Sequence, residues 1–363
     1  MPLKLGVDAS RANKKERTGV EKYCFQIIQH LKQILPAEVQ VILYSKDPLQ
    51  HGLEQLPKNW KNKVLSWPGP LWTQVRLSLE MFCHSPDVLF VPGHVFPFIH
   101  PHRTVLTIHD VAAAEFPQSY NFFERFYSLY PAKRSKALYK IITPSDFTKK
   151  QLQQHFSIDS SKISVIPHGY IENCSGRQDP DVLNKYNVQQ PFLLFLGRIE
   201  TKKNVERIIS AYNKLRSEKE LELVLAGKPG HGYKKIKQKI NSSNYEEDIK
   251  ELGWIDEQDK LNLISNSELL LIPSLYEGFG FPVLEAFDCE TPVIASENTS
   301  LKEVGGKASF YVDPHSVYSI FQAVEKSLNN QKLRKKKIKI GRERLDNFSW
   351  HKAAKETAKV LLS

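Results

Sequence analysis

Two carboxylates, Glu277 and Glu285, flank the turn in YEGFGFPVLEAFDCETPVIAS, residues 276–296. Pro282 suits the first turn of a helix, where its missing N–H has no partner to lose. Glu285 is therefore expected in that first turn and Glu277 in the loop before it. The amides around Gly280, Phe281 and Val283 are expected to be free and to carry the positive end of the helix dipole, worth about 0.3–1 kcal/mol toward an anion. The glycines let a backbone approach a ligand closely. Singly, each acid has a plainer reading: Glu285 as a favourable first-turn charge, Glu277 as a solvated loop residue. A second stretch, FLGRIETKKNVERIISAYNKL, residues 195–215, sends Arg198 out of a strand end and sets Lys203 at the next helix start. Surface charge is the plainer reading there too. Together, however, two cations suit phosphates, and carboxylates accept charge-assisted hydrogen bonds from sugar hydroxyls, each worth roughly 1.5–3 kcal/mol. That combination points to a nucleotide-diphosphate sugar.

The elements that must position these residues follow from hydrophobic patterning. Short Val/Ile/Leu-rich runs alternate with amphipathic stretches, the pattern of a parallel sheet covered by helices. The first series has candidate strands LKLGVDA, VQVILYS, DVLFVPG, RTVLTIHD, KIITPS and KISVIPHG, with helices near 18–35, 71–83, 122–138 and 146–155. The second has PFLLFLG, LELVLAG, IKELGW, SELLLIPS, TPVIAS and ASFYVD. Between them ENCSGRQDPDVLNKYNVQQ is polar and broken by Gly and Pro, as a linker is. The expected organisation is an α/β chain of two Rossmann-like domains: residues 1–171, a linker over 172–190, residues 191–345, and a C-terminal helix over 346–363 packing back toward the first domain. The ligand is expected in a cleft facing the strand ends of both.

Composition excludes several classes. The 363 residues, 41% hydrophobic and 25% charged, read as a globular protein without the ~18-residue apolar run of a membrane span. Cys24, Cys83, Cys174 and Cys289 are scattered, with neither metal-ligand spacing nor a dense disulfide pattern, and the N-terminus lacks a signal-peptide core. A reducing cytoplasm is the expected compartment, in which the sequons at Asn173 and Asn298 carry no meaning. The net charge of +11 calls for an acidic partner: a phosphorylated small molecule, an anionic lipid surface or nucleic acid. The densest basic run, residues 331–345, has apolar residues at helical spacing and reads as a solvated helix face, with a membrane contact as the alternative. No basic and aromatic nucleic-acid module is present. There is no phosphate-binding GxxxxGK[ST], and GFGFPV lacks the third glycine of a dinucleotide fingerprint. Asp179-Pro180-Asp181 mimics a metal-binding DxD but falls in the linker, and His94, His100, His102 and His109 lack metal-site spacing.

The motifs GRIETKKN, LELVLAGKPGHGY, GWIDEQDKLNLISNSELLLIPSLYEGFGFPVLEAFDCETPVIAS and ASFYVDP closely resemble the C-terminal half of retaining glycosyltransferases of family 4. The N-terminal GVDASRANKKERTGVEKY, DVLFVPGHVFP, TIHD, TPSDFTKKQL and VIPHGY extend the resemblance over nearly the whole chain. It implies the GT-B architecture, with a nucleotide-sugar domain in the C-terminal half and an acceptor domain in the N-terminal half. It further implies that Glu285 binds the nucleotide ribose, Glu277 faces the transferred sugar, and Arg198 and Lys203 hold the diphosphate. The Gly280 and Phe281 amides would contact sugar hydroxyls, Gly19 would approach the phosphates, and His109 matches the family's active-site histidine. Asp110 is expected to orient its loop. Two departures stand out: Gly19 is alone behind NKKER where many members have a glycine-rich turn, and His168 stands where Asn is frequent.

The expected chemistry is hexose transfer from a GDP- or UDP-sugar to a glycan or lipid-linked acceptor, retaining and metal-independent, in cell-surface polysaccharide synthesis. A non-catalytic nucleotide-sugar-binding subunit and a sugar-nucleotide epimerase are the alternatives. Acceptor choice is expected to lie in the first domain, where Trp67, Trp72 and Phe82 read as core in preference to a lipid-facing patch.

Overall fold

The computed structural model describes residues 2–172, 174 and 181–363. Asp179 and Pro180 of the DxD mimic, and Asn173 and Ser175 of the first sequon, lie outside the described residues. The chain divides into two compact units, Met1–Pro117 with Asn121–Gly169 and Phe348–Ser363, and Gln118–Tyr120 with Tyr170–Asn347.

The first unit is a seven-stranded sheet of β1 (Lys4–Asp8), β2 (Gln40–Ser45), β3 (Trp60–Val64), β4 (Val88–Val91), β5 (Thr104–Thr107), β6 (Lys140–Thr143) and β7 (Ile163–Val165). All neighbours are parallel, in the order β3-β2-β1-β4-β5-β6-β7. Every residue of β4 and β5 is buried, because helices cover both faces, and that is why these strands read as unbroken apolar runs. Strand β3, WKNKV, was not expected: at the sheet edge its two lysines guard an open ladder and erase the apolar signal. The helix Gly19–Ile34 buries Tyr23, Cys24, Ile27, Ile28 and Leu31 at helical spacing, and the C-terminal helix Trp350–Leu362 packs against it.

The second unit is a six-stranded parallel sheet of β8 (Phe192–Leu196), β9 (Glu222–Ala226), β10 (Ile249–Gly253), β11 (Leu269–Ile272), β12 (Val293–Ser296) and β13 (Phe310–Val312), in the order β10-β9-β8-β11-β12-β13. In each unit the first strand lies inside the sheet. β1 pairs with β2 and β4, and β8 with β9 and β11, so the chain reverses its direction of winding there. Such a switch point leaves a crevice at the carboxyl ends of the strands, the usual ligand position in open α/β sheets. Within the stretch expected as linker, residues 181–185 form a short helix that buries Val182 and Leu183. The basic run is the helix Gln331–Leu345. No helix among the described residues is long and apolar enough to cross a membrane.

The cysteine reading is corrected. Cys174 and Cys289 form a disulfide across 115 residues, while Cys24 and Cys83 are free thiols. Their spacing hides the pair because it arises in three dimensions. The segment after Gly169 lies against the end of the helix Phe281–Asp288, where Asp288 Oδ2 accepts from the Tyr170 hydroxyl at 3.0 Å and the Cys174 N–H at 2.9 Å. Cysteine spacing therefore loses its value as an argument for a reducing compartment. Alkylation of the denatured, unreduced protein should label two cysteines and label four after reduction. Cys289→Ser should lower the urea-unfolding free energy of the oxidised protein by about 2–4 kcal/mol. Four labelled cysteines before reduction would show the bond is not made.

Candidate active site

The loops that leave β8 and β9 are zipped together. The Ile199 N–H donates to Lys228 O, and the Gly230 N–H to Ile199 O, both at 3.0 Å. Gly227 has φ +153°, and a Cβ there would stand 1.9 Å from Gly197 O, so only glycine permits this approach. The zipper presents Arg198 just beyond β8, exposed and, among the described residues, with no hydrogen-bond or ion-pair partner.

Five residues on, Lys203 closes the turn Thr201–Lys203 and Asn204 takes the left-handed conformation, φ 66°. The buried Asn204 side-chain amide donates to Pro273 O at 2.8 Å and Pro314 O at 2.7 Å, which fastens the loop after β8 to the loop after β11. The result is an ion pair between Lys203 Nζ and Glu277 Oε1 at 2.5 Å, with Ser274 Oγ donating to the same oxygen at 2.9 Å. A cation and a carboxylate 74 residues apart thus meet at the sheet's switch point. The Ser300 hydroxyl shapes the loop that follows by donating to the carbonyls of Glu277 at 2.7 Å and Phe279 at 3.0 Å.

Gly280 caps the helix Phe281–Asp288 with φ +108°, and a Cβ there would meet Leu301 Cδ2 at 2.4 Å. Two expectations need correction. The Val283 N–H is not free, because it donates to Gly280 O at 3.1 Å in the tight first turn. Glu285 lies in the second turn, since the helix starts at Phe281. A first-turn charge is therefore not its role. It is only 5% exposed and pairs with Lys260 Nζ at 2.6 Å, which also holds Glu257 at 2.8 Å. Burial pulls the Lys260 pKa down, but the Glu285 and Glu257 carboxylates outweigh it and hold the ammonium above its ordinary value.

In the first unit, Gly19 begins the helix behind the Thr18 cap, whose hydroxyl bonds the Glu21 carboxylate. His109 follows β5 and is buried. Its Nε2–H donates to Pro92 O at 3.0 Å, so Nδ1 is the acceptor for His168 Nε2–H at 3.3 Å. Tyr23 meets the His109 ring edge-on at 4.8 Å, and Trp350 stacks with His168 at 6.1 Å. The structure thus joins His168 to His109. Asp110 Oδ1 accepts from the Ala112 N–H at 3.0 Å. Among the described residues no group of three or more His, Cys, Asp and Glu side chains is placed to hold a metal.

Burial pulls the His109 pKa down to about 4, against the opposing pulls of Pro92 O, Asp110 and Glu21, with His94 adding to the lowering. His168, equally buried and facing His109, also lies well below its ordinary value. A histidine of ordinary pKa near 6.5 in the unfolded chain then takes up a proton that the folded one refuses. The stability contributed by neutral His109 is complete above pH 6.5 and is lost as pH falls toward 4, by on the order of 3 kcal/mol. Urea unfolding of wild type and His109→Gln at pH 7 and 4.5 checks this: the variant should lose less stability between the two, and equal losses would refute it.

Asn204, Lys260 and Ser300 went unnoticed in the sequence. Lys260 alone left a trace, a cation in the first turns of the helix Glu257–Asn266, where the dipole disfavours it.

Comparison with known proteins completes the picture. The family Glycosyl transferases group 1 matches residues 180–344, and Glycosyltransferase Family 4 matches residues 17–172. The O-antigen chain mannosyltransferase B of Escherichia coli is 30% identical over 275 residues, covering 72% of this chain and 71% of that protein. The chain belongs to glycosyltransferase family 4. This glycosyltransferase is also similar to the O-antigen chain mannosyltransferase RfbU of Salmonella typhimurium, 24% identical over 86% of this chain and 87% of that one. Its GT-B fold is shared with Anabaena HepE, solved in complex with UDP-glucose, at a TM-score of 0.73 and 16% identity over 99% of this chain and 98% of that one. The glycosyltransferase is thus an enzyme of two Rossmann-like parallel-sheet units.

Proposed function

We propose that this enzyme transfers a hexose, mannose from GDP-mannose in first place and a UDP-sugar in second, to a hydroxyl of a glycan or lipid-linked acceptor in cell-surface polysaccharide synthesis. The names of the two mannosyltransferase relatives support the sugar and the pathway class. The observation that carries the reading is the Lys203–Glu277 pair, whose lysine stands in the loop after β8 that also bears Arg198, which has no partner among the described residues. Cations and a carboxylate at one crevice fit a diphosphate adjoining a polyhydroxyl ring.

Breaking the bond between the anomeric carbon and the phosphate oxygen places negative charge on the leaving diphosphate. Arg198 and Lys203 stabilise that charge as it develops, which lowers the barrier without any change in the chemistry of the sugar. The acceptor oxygen bonds to the anomeric carbon from the face the diphosphate leaves, and its proton passes to the departing phosphate oxygen. Configuration is retained, and no metal is needed to meet the charge. Glu277 accepts hydrogen bonds from the transferred sugar, Glu285 from the ribose, and the Gly280 and Phe281 amides contact sugar hydroxyls. Gly19 serves the phosphates, and neutral His109, its two nitrogens held by Pro92 O and His168, lies near the sugar as a fixed uncharged ring.

Thermal unfolding with GDP-mannose, UDP-glucose and ADP-glucose tests the donor. A ligand at about 100 times its Kd adds ~2.7 kcal/mol, so one nucleotide class should raise the midpoint by several degrees. A flat response to all three at millimolar concentration would contradict the reading.

A further inference from the structure

The first unit carries an apolar surface that the sugar chemistry does not use. Six consecutive residues, Asn121 to Phe126, are exposed, and three of them are phenylalanines: Phe122 at 79%, Phe123 at 70% and Phe126 at 48%. They form the outer half of the helix Phe122–Lys133, which is anchored at its other half by buried Leu129, Pro131 and Ala132. The Asn121–Glu124 capping box holds the exposed end helical despite its lack of core contacts. The patch continues beyond this helix. Tyr130 links Phe126, at 5.9 Å between rings, to exposed Phe98, at 5.5 Å, and Ile99 follows. The Phe98 N–H donates to Ser78 Oγ at 2.8 Å, which sets this loop against the helix Ser78–Cys83, whose outward face bears Leu79 and Phe82, the latter 75% exposed.

Part of the sequence expectation is corrected here. Trp72 is core, with its indole N–H on the buried Leu65 O at 2.6 Å, and Trp67 is half-buried with its own N–H on Pro70 O at 2.8 Å, near the surface. Phe82 is not core.

Charge decides what covers the patch. Among the same residues, from Asn121 to Lys136, the exposed charges are Arg125, Lys133, Arg134 and Lys136 against the single acid Glu124. Apolar rings projecting from one end of a helix, with Arg125 among them and Lys133, Arg134 and Lys136 at and just past its other end, match a bilayer surface: rings enter the acyl boundary, and cations meet anionic headgroups. We propose that this surface, centred on Phe122, Phe123 and Phe126, docks the enzyme on bilayers that contain anionic phospholipid. The docking stands whether or not the donor assignment is right, since it involves none of the residues given to the sugar nucleotide.

Co-sedimentation of the full chain with phosphatidylcholine vesicles and with vesicles containing 30% phosphatidylglycerol tests it, at ~50 mM and ~500 mM salt. Wild type should bind the anionic vesicles at least tenfold more tightly, and high salt should remove most of that preference. The variant Phe122→Ser/Phe123→Ser/Phe126→Ser should lose tenfold or more in vesicle affinity with its circular dichroism unchanged. Arg125→Glu/Lys133→Glu should lose the anionic preference. Equal vesicle binding by the triple variant would overturn the proposal. So would a wild type that ignores vesicles, including one that uses the patch to dimerise and becomes monomeric in the triple variant.

Discussion

Replacing Arg198 by Ala is expected to lower kcat for sugar transfer by about 10²–10³-fold while leaving the unfolding midpoint unchanged. The two halves of this expectation have separate causes. A cation directed at charge that appears only in the transition state acts on kcat, and donors of this kind are worth roughly 3–4 kcal/mol. Stability is untouched because Arg198 is exposed and, among the described residues, has no partner to orphan. Lys203 differs. Its removal strips the Glu277 carboxylate of its counterion, so Lys203→Ala should lose activity together with some stability. Steady-state release of nucleoside diphosphate, beside thermal unfolding of the same preparations, separates the cases. An Arg198→Ala enzyme with wild-type turnover would remove the leaving-group role.

A second large effect, on stability, should come from Lys260, which lies in the helix Glu257–Asn266 and at neither strand end. Lys260→Ala is expected to cost about 3 kcal/mol, the low end for breaking a buried pair because Lys260 keeps some solvent contact. The loss arises from leaving the Glu285 carboxylate in a buried position without its cation. It should therefore shrink when the acid is also neutralised. The double variant Lys260→Ala/Glu285→Gln should recover much of the stability, with a coupling of about 1 kcal/mol or more against the two single variants in urea denaturation. Additive losses would mean the two side chains do not depend on each other. Donor KM should rise in both variants, since Glu285 is the group assigned to the ribose.

Both effects bear on how much the sequence could tell. Sheet strands were legible wherever both faces are covered, as in β4, β8 and β11, because double burial forces continuous apolar runs. β3 was not, since an edge strand answers to solvent on one side. The Glu277 and Arg198 loops were legible because glycine and charge mark strand ends at a switch point. Pro282 does stand in the first turn of its helix, but Glu285, expected in the same turn, falls in the second, and its plainer reading changes with it. The partners that hold these groups escaped notice for a common reason. Asn204, Lys260, Ser300 and the Cys174–Cys289 bond act through contacts between segments 20 to 115 residues apart, and no local pattern encodes such a contact.

The neutral His109–His168 pair adds a point about the first unit. A histidine whose Nε2–H is committed to Pro92 O and whose Nδ1 is covered by His168 is a fixed hydrogen-bonding group at neutral pH rather than a proton carrier. That agrees with a mechanism in which the leaving phosphate takes the acceptor proton.

Real-time NMR of GDP-mannose with the purified enzyme and a mannose-terminated oligosaccharide tests the central claim most directly. The account predicts equal growth of GDP and of a new α-glycosidic anomeric signal, both dependent on acceptor. Conversion of the donor to an isomeric nucleotide sugar without acceptor would contradict it, as would a donor that binds and stays intact beside every acceptor offered.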